Sequence, residues 1–240
     1  MARTPWAITQ EMFLSLDEVE RLLAHVRGRA EEAGRSGFLD RLIVEVMLFS
    51  GLRNSEFCRL RLGDTILGAD EAMLTVAGSA GVEGEGRTVH LPSGIGQLLV
   101  EYTSQIRLQM LPQGVRADDR EQPLVFHERR RPFERTGLYR RVVRILTAAG
   151  LGERASVQLL RHTYGYLAYL RTGGNLLFVQ RQLGHAHPMV TSIYAQFVDE
   201  PYGELAERVG GGGGGYTSMA LEPLERRVVN TVEEFNSECD

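Results

Sequence analysis

The stretch Leu39 to Phe49, LDRLIVEVMLF, is apolar on nearly every side and ends just before Gly51. A helix without a wide polar face must be covered by other elements. The overlapping run Leu42 to Leu52 carries Glu45 and falls short of the roughly 20 apolar residues that cross a bilayer. It therefore reads as a buried core helix closed by Gly51. The chain has 240 residues, 43% of them hydrophobic. That suffices for one large domain with a true core, or one domain plus a tail.

The remaining periodicity is mostly helical. Ser15 to Arg29 has a cap residue, Glu18 three positions later, and a stripe of Val19, Leu22, Leu23 and Val26. Asn54 or Ser55 starts a short helix through Leu60. Gly94 to Met110, Gly137 to Ala149, Leu159 to Arg171, Leu176 to Gln182 and Pro188 to Phe197 read as further helices, the last ones split by Gly173-Gly174 and Gly184. Ala72 to Ala77 and Arg87 to Leu91 alternate as strands, joined by GSAGVEGEG, too long for a tight hairpin turn. Pro123 to His127 is a possible short strand. The expected fold class is mainly α with a small antiparallel β-sheet.

Six consecutive glycines, Gly210 to Gly215, lack the preceding strand and Gly-Lys-Ser/Thr end of a phosphate loop and read as a linker. Beyond it, Leu221, Leu224, Val228, Val229, Val232 and Phe235 recur at helical spacing. The expected organisation is a domain over 1–208, a linker over 209–216, and an acidic amphipathic helix over 217–240. That helix needs a surface, either on its own domain or on a neighbouring subunit.

The net charge is −4, which argues weakly against nucleic acid, but its distribution reverses that. Residues 216–240 hold six acids and two arginines, so the tail carries the whole excess. His127 to Arg144 holds seven arginines and two glutamates, the best local footprint for phosphate contacts. An arginine cluster alone is more often a solvated surface. All 27 basic residues are arginine, so any role that needs lysine is vacant. Cys58 and Cys239 lie far apart, outside any metal-ligand spacing, and suggest no disulfide framework. The first 13 residues contain no continuous apolar run of a secretory signal, and a cytoplasmic location is expected.

Three patches remain: Ser50-Gly-Leu-Arg53-Asn-Ser-Glu56-Phe, Gln158-Leu-Leu-Arg161-His162-Thr163, and Leu183-Gly-His185 with Tyr194 nine residues later. Each alone has a bland reading: a capping arginine, a core tyrosine, a buried histidine. Their order and spacing together resemble the patterns GLR-x-SE, H-x-LRHT and LGH-x8-Y of tyrosine recombinases, the phage-integrase family. The resemblance runs from about Leu14 to Phe197, and LVFHERRRPF with its following helix resembles the family's connecting segment.

The resemblance implies the tyrosine recombinase catalytic-domain fold and a site-specific recombinase or integrase working on double-stranded DNA as a homo-oligomer. The chemistry suits the residue types. Attack on a phosphodiester builds charge on non-bridging oxygens, which two arginines can clamp with paired donors. The resemblance assigns that clamp to Arg53 and Arg161, a hydrogen bond to the phosphate to His185, and the nucleophile to Tyr194. Tyr194 would form a 3′-phosphotyrosine and release a 5′-hydroxyl, which stores the bond energy for religation. His162 matches a family histidine that is not the catalytic one and reads as a buried hydrogen-bonder. Glu56 would orient its neighbours. Arg87, Arg135, Arg140, Arg141 and Arg144 are the expected DNA contacts. No metal or cofactor is expected; His185-Ala-His187 alone is a poor ligand set.

Two positions depart from the family. Gln158, counted with the catalytic residues, stands where the family has a histidine; glutamine can donate a hydrogen bond but cannot shuttle a proton. Val82 or a near neighbour stands where the family has a lysine that protonates the leaving 5′-oxygen. Arg87 is too weak an acid to replace it, and His90 is a substitute only if the strand turns it inward. Thirteen residues precede Leu14, too few for the family's usual N-terminal DNA-clamping domain. The alternative reading is a catalytically impaired DNA-binding relative, acting as a regulator or accessory subunit.

Overall fold

The computed structural model describes residues 9–68, 71–78 and 86–198. The expectations for the turn around Val82, the glycine linker and the terminal helix lie outside these residues. Helix α1 (Leu16–Glu32) opens on a full capping box: Ser15 Oγ accepts from the Glu18 amide at 3.2 Å, and Glu18 accepts from the Ser15 amide at 2.9 Å. Helix α2 (Gly34–Ser50) begins five residues before the apolar run. Leu39, Leu42, Ile43, Val44, Met47 and Leu48 on it are fully buried, because α1 and the helices over Ser93–Glu101, Arg135–Ala148 and Val157–Arg171 pack around it. Gly51 closes it at φ +62°, where a side chain would also strike the Tyr164 ring.

Helix α3 (Asn54–Arg59) leads into a sheet of three antiparallel strands, β1 (Thr65–Leu67), β2 (Ala72–Val76) and β3 (Arg87–Leu91), in that order. Strand β1 adds to the two expected strands. At three residues it is too short for an alternating pattern to register. Along β3, Val89 and Leu91 are buried, Arg87 is partly buried, and Thr88 and His90 are exposed.

The expected single helix over Gly94–Met110 is divided into α4 (Ser93–Glu101), a π turn (Tyr102–Ile106) and α5 (Arg107–Met110). Its end is fixed by polar groups that periodicity does not reveal. Buried Arg107 donates to the carbonyls of Leu124 (3.1 Å), Ala117 (3.2 Å) and Pro123 (3.0 Å) and lies over the Phe126 ring. The buried Tyr102 hydroxyl accepts from the Phe126 amide at 3.0 Å. These contacts take up the carbonyls of Ala117, Pro123 and Leu124 and the amide of Phe126, and Pro123–His127 is no strand; it makes only the isolated bridges Arg61 to Pro123 and Phe126 to Pro132.

Helices α6 (Arg135–Ala148), α7 (Val157–Arg171) and α8 (Leu176–Leu183) match the expected segments to within two residues. The expected helix Pro188–Phe197 is shorter: α9 (Pro188–Ser192) ends at a turn, and Ala195–Phe197 forms a 3₁₀ turn. Tyr194 sits between them. Among the described residues no helix is long and apolar enough to cross a membrane.

Candidate active site

The first patch places Arg53 at the turn between α2 and α3. The Glu56 carboxylate, one turn into α3, accepts from the Arg53 amide at 2.7 Å and from its guanidinium at 2.7 Å. The same carboxylate takes both terminal nitrogens of Arg87 at 2.8 Å. Arg87 also donates through Nε to the Gln182 carbonyl at 2.9 Å. Glu56 thus bridges a loop arginine and a strand arginine, and Arg87 ties the sheet to α8. Burial would raise the Glu56 carboxyl, but the hydrogen bonds from Arg87 and Arg53 overcome it and hold the pKa at about 2.

The second patch lies on α7. Arg161 is 4% exposed and donates to the Gly51 carbonyl and, at 2.7 Å, to the Leu183 carbonyl. Arg53 reaches the next carbonyl, that of Gly184, at 3.3 Å. Two arginines 108 positions apart therefore seize consecutive carbonyls immediately before His185. Burial, helped by Arg53, pulls the Arg161 pKa down to about 10, which still leaves it charged at neutral pH.

His185 is half-buried. Its carbonyl accepts from the Gln180 side chain at 3.1 Å, and its Nδ1 lies 2.9 Å from Thr191 Oγ1. Burial and then the charges of Arg161 and Arg53 push its pKa down to about 4, so the ring is neutral at physiological pH. His185, Arg87, His90, Gln180 and Arg181 line a cleft of about 820 Å³ between β3 and α8. His90 stands on the exposed face of β3, 3.9 Å from Glu71; the strand does not turn it inward.

Tyr194 is 1% exposed and belongs to a small apolar cluster with Phe13, Tyr164, Val179 and Leu183. Its ring lies against α7 at Gly165, where an added Cβ would come within 2.3 Å of Cζ. Its hydroxyl lies 3.1 Å from His162 Nδ1. Burial raises the phenol pKa to about 12, with Arg161 opposing. His162 is depressed by burial and by Arg161, so it stays neutral as a partner for the phenol. The sequence marks His162 as a buried hydrogen-bonder but does not give its partner. Gln158 is exposed on α7, one turn before Arg161 and His162.

The expected DNA-contact arginines divide into two sets. Arg135, Arg140 and Arg144 are exposed along α6, although Arg144 also reaches Asp40 at 3.1 Å. The Arg135 carbonyl accepts from Asn54 Nδ2 at 3.0 Å, which sets this face beside Arg53. Arg140, Arg144, Arg129 and Arg131 border a second cleft of about 490 Å³. Arg141, in contrast, is committed internally. It meets buried Asp40 at 2.7 Å, Glu128 at 2.8 Å and the Ser36 carbonyl at 2.9 Å. Arg87 is committed likewise to Glu56. Both read in sequence as free cations because their acidic partners lie 101 and 31 positions away.

Arg53 from the turn before α3 and Arg161 from α7 thus meet at the Leu183–Gly184 turn beside His185, and Tyr194 lies between α9 and the 3₁₀ turn, within a helical domain that carries a three-stranded sheet. A family model described as the phage integrase family matches residues 12–200, and the chain belongs to that family. The chain is 31% identical over 197 residues to tyrosine recombinase XerA of Pyrococcus furiosus, covering 81% of this chain and 60% of the relative. It is 26% identical to tyrosine recombinase XerH of Helicobacter pylori, covering 80% and 50%. It superposes on a crystal structure of XerH bound to a palindromic difH substrate, a post-cleavage complex, with TM-score 0.66 and 25% identity, over 83% of this chain and 53% of that one. The chain therefore spans about half to three-fifths of the length of these relatives.

Proposed function

We propose that this chain is the catalytic domain of a site-specific DNA recombinase that cuts and rejoins strands through a 3′-phosphotyrosine. The observation that carries the proposal is the convergence of Arg53 and Arg161 on the consecutive carbonyls of Gly184 and Leu183, at the threshold of His185. On this reading the two guanidinium groups and the neutral imidazole take hold of one phosphodiester. The guanidinium groups stabilise the charge that builds on its oxygens. Tyr194 supplies the phenolate that attacks phosphorus, the 5′-oxygen departs with a proton, and the reverse attack reseals the strand.

Double-stranded DNA is the proposed partner, held by the exposed arginines 135, 140 and 144. Exchange of two duplexes needs one nucleophile per strand, so the working form is a homo-oligomer on DNA, with residues 217–240 as its proposed subunit contact. The cytoplasm is the proposed location. Nicked suicide duplexes drawn from the flanking genomic DNA test the proposal: the short downstream fragment leaves with its 5′-hydroxyl and the covalent protein–DNA adduct accumulates on a denaturing gel.

The second reading is a DNA-binding relative impaired in catalysis. It is favoured by Gln158 in the place of a histidine and by a sequence without lysine. Tight binding without adduct on any substrate selects it.

A further inference from the structure

We infer that Thr191 is a positioning residue that fixes the tautomer of His185, so that the imidazole offers Nε2–H to the scissile phosphate; the inference rests on the recombinase reading. The backbone of His185 is pinned on three sides. Arg161 holds the Leu183 carbonyl at 2.7 Å, Arg53 holds the Gly184 carbonyl at 3.3 Å, and Gln180 holds the carbonyl of His185 itself at 3.1 Å. These bonds place the ring but leave its orientation and its proton undecided. Thr191 on α9 is itself fully buried, and its Oγ1 meets Nδ1 at 2.9 Å.

A neutral imidazole carries one proton and one lone pair. A ring amid Arg161, Arg53 and Arg87 is held neutral, so the two nitrogens have opposite roles, and the partner at one decides the role of the other. A threonine hydroxyl that donates to Nδ1 forces the proton onto Nε2. That nitrogen is then a hydrogen-bond donor, the polarity a phosphate oxygen needs. The opposite arrangement, Nδ1–H donating to Thr191, would present a lone pair to a phosphate and repel it. The Thr191 carbonyl also accepts from the Tyr194 amide at 3.2 Å. One turn of backbone therefore holds both the ring that would bind the phosphate and the phenol that would attack it.

The test is nitrogen-15 NMR of the histidine side chains in the full chain, with the His185 signals identified by their loss in a His185→Gln variant. We expect wild type to show Nδ1 unprotonated and Nε2 protonated. Thr191→Ser should keep that pattern, and Thr191→Val should mix the two tautomers. On suicide DNA, Thr191→Val should form adduct about 10- to 100-fold more slowly, the range typical when the group orienting a metal-bound histidine is removed, while Thr191→Ser restores most of the rate. A wild-type ring protonated at Nδ1 overturns the inference, as does a Val variant with unchanged tautomer and rate. Should the Val variant fail to fold, the wild-type and Ser spectra still decide the tautomer. An Nε2–H ring in a protein that forms no adduct upholds the Thr191 lock and sinks the recombinase reading instead.

Discussion

The Tyr194 hydroxyl and the His162 Nδ1 lie 3.1 Å apart in a buried pocket of α7, with the phenol ring seated on Gly165. In this position the phenol is shielded from solvent and its pKa is raised to about 12. A phenol in that state is a poor nucleophile, so on the recombinase reading attack requires this buried seat to open. His162 keeps the unused phenol hydrogen-bonded, which avoids the cost of burying a lone hydroxyl.

Gly165→Ala should disturb this seat. The added methyl would strike the ring, and overpacking of this kind costs about 1–3 kcal/mol. Tyr194 should then be displaced toward solvent. Nitration followed by peptide mass analysis measures this: Tyr194 should resist modification in wild type and react in the variant. Equal resistance in both would show that the ring adapts in place.

Tyr194→Phe should abolish covalent adduct while leaving DNA affinity nearly unchanged, because the phenol does chemistry and phosphate contacts supply affinity. Loss of the hydroxyl leaves His162 without that partner and should lower stability by about 1–2 kcal/mol. Mobility-shift titration and thermal melting of the same preparation check both halves.

The two sets of arginines should separate cleanly. Replacing Arg135 and Arg140 by alanine should flatten the salt dependence of DNA binding, by about one unit of slope for each phosphate no longer neutralised, with little change in melting temperature. Arg141→Ala should do the reverse. It strips a close partner from buried Asp40, which retains Arg144 at 3.1 Å. The expected loss is up to about 3 kcal/mol, the lower end for breaking a buried pair. A salt slope that falls with Arg141→Ala in a fully stable protein would refute the division.

Acid should unfold the protein through the same site. Glu56 has a folded pKa of about 2, below its ordinary value. Its contribution is complete above the ordinary carboxylate range and is lost as pH falls through that range toward 2. His185, depressed to about 4, acts in the same direction, destabilising the fold as pH falls below its ordinary value. Arg87→Gln removes two of the bonds that hold Glu56 down. The acid-unfolding midpoint of that variant should move to higher pH, read by circular dichroism.

Much of the fold is legible in the sequence for reasons of local physics. The capping box at Ser15, the stop at Gly51 and the apolar run of α2 are signals carried within a few residues. The three patches are visible because their spacing is itself a pattern. Other features stay hidden because they depend on partners distant in the chain. Arg87 reads as a free cation until Glu56, 31 positions earlier, is folded against it. Arg107 reads as a helix-surface residue, yet it is the buried anchor of the connecting segment. The π turn at Tyr102 follows from that anchoring and leaves no periodic trace. The spacing puts Tyr194 on a continuous helix, but its ring turns into the cluster around Tyr164 and interrupts it.

The missing lysine makes a quantitative demand. On the recombinase reading the arginines and His185 address the charge on the phosphate, while the sequence has no lysine to protonate the departing 5′-oxygen. A positioned general acid is typically worth about 10²–10⁴-fold. A substrate with sulfur at the 5′-bridging position needs no such proton and should be cleaved faster than ordinary DNA by a margin in that range. Val82→Lys should raise the rate on ordinary DNA and shrink the sulfur advantage. Equal rates on both substrates in wild type would mean that another acid already serves.

On the recombinase reading Tyr194 becomes bonded to DNA. Adduct trapped on a suicide duplex can be digested with nuclease and then with trypsin, which cuts this lysine-free chain at arginine and releases Gln182 to Arg208. Mass spectrometry of that peptide should find a nucleotide 3′-phosphate on Tyr194, and none in the Tyr194→Phe protein. A nucleotide on Tyr202 or on a tyrosine of another peptide, or adduct that survives Tyr194→Phe, would contradict the account.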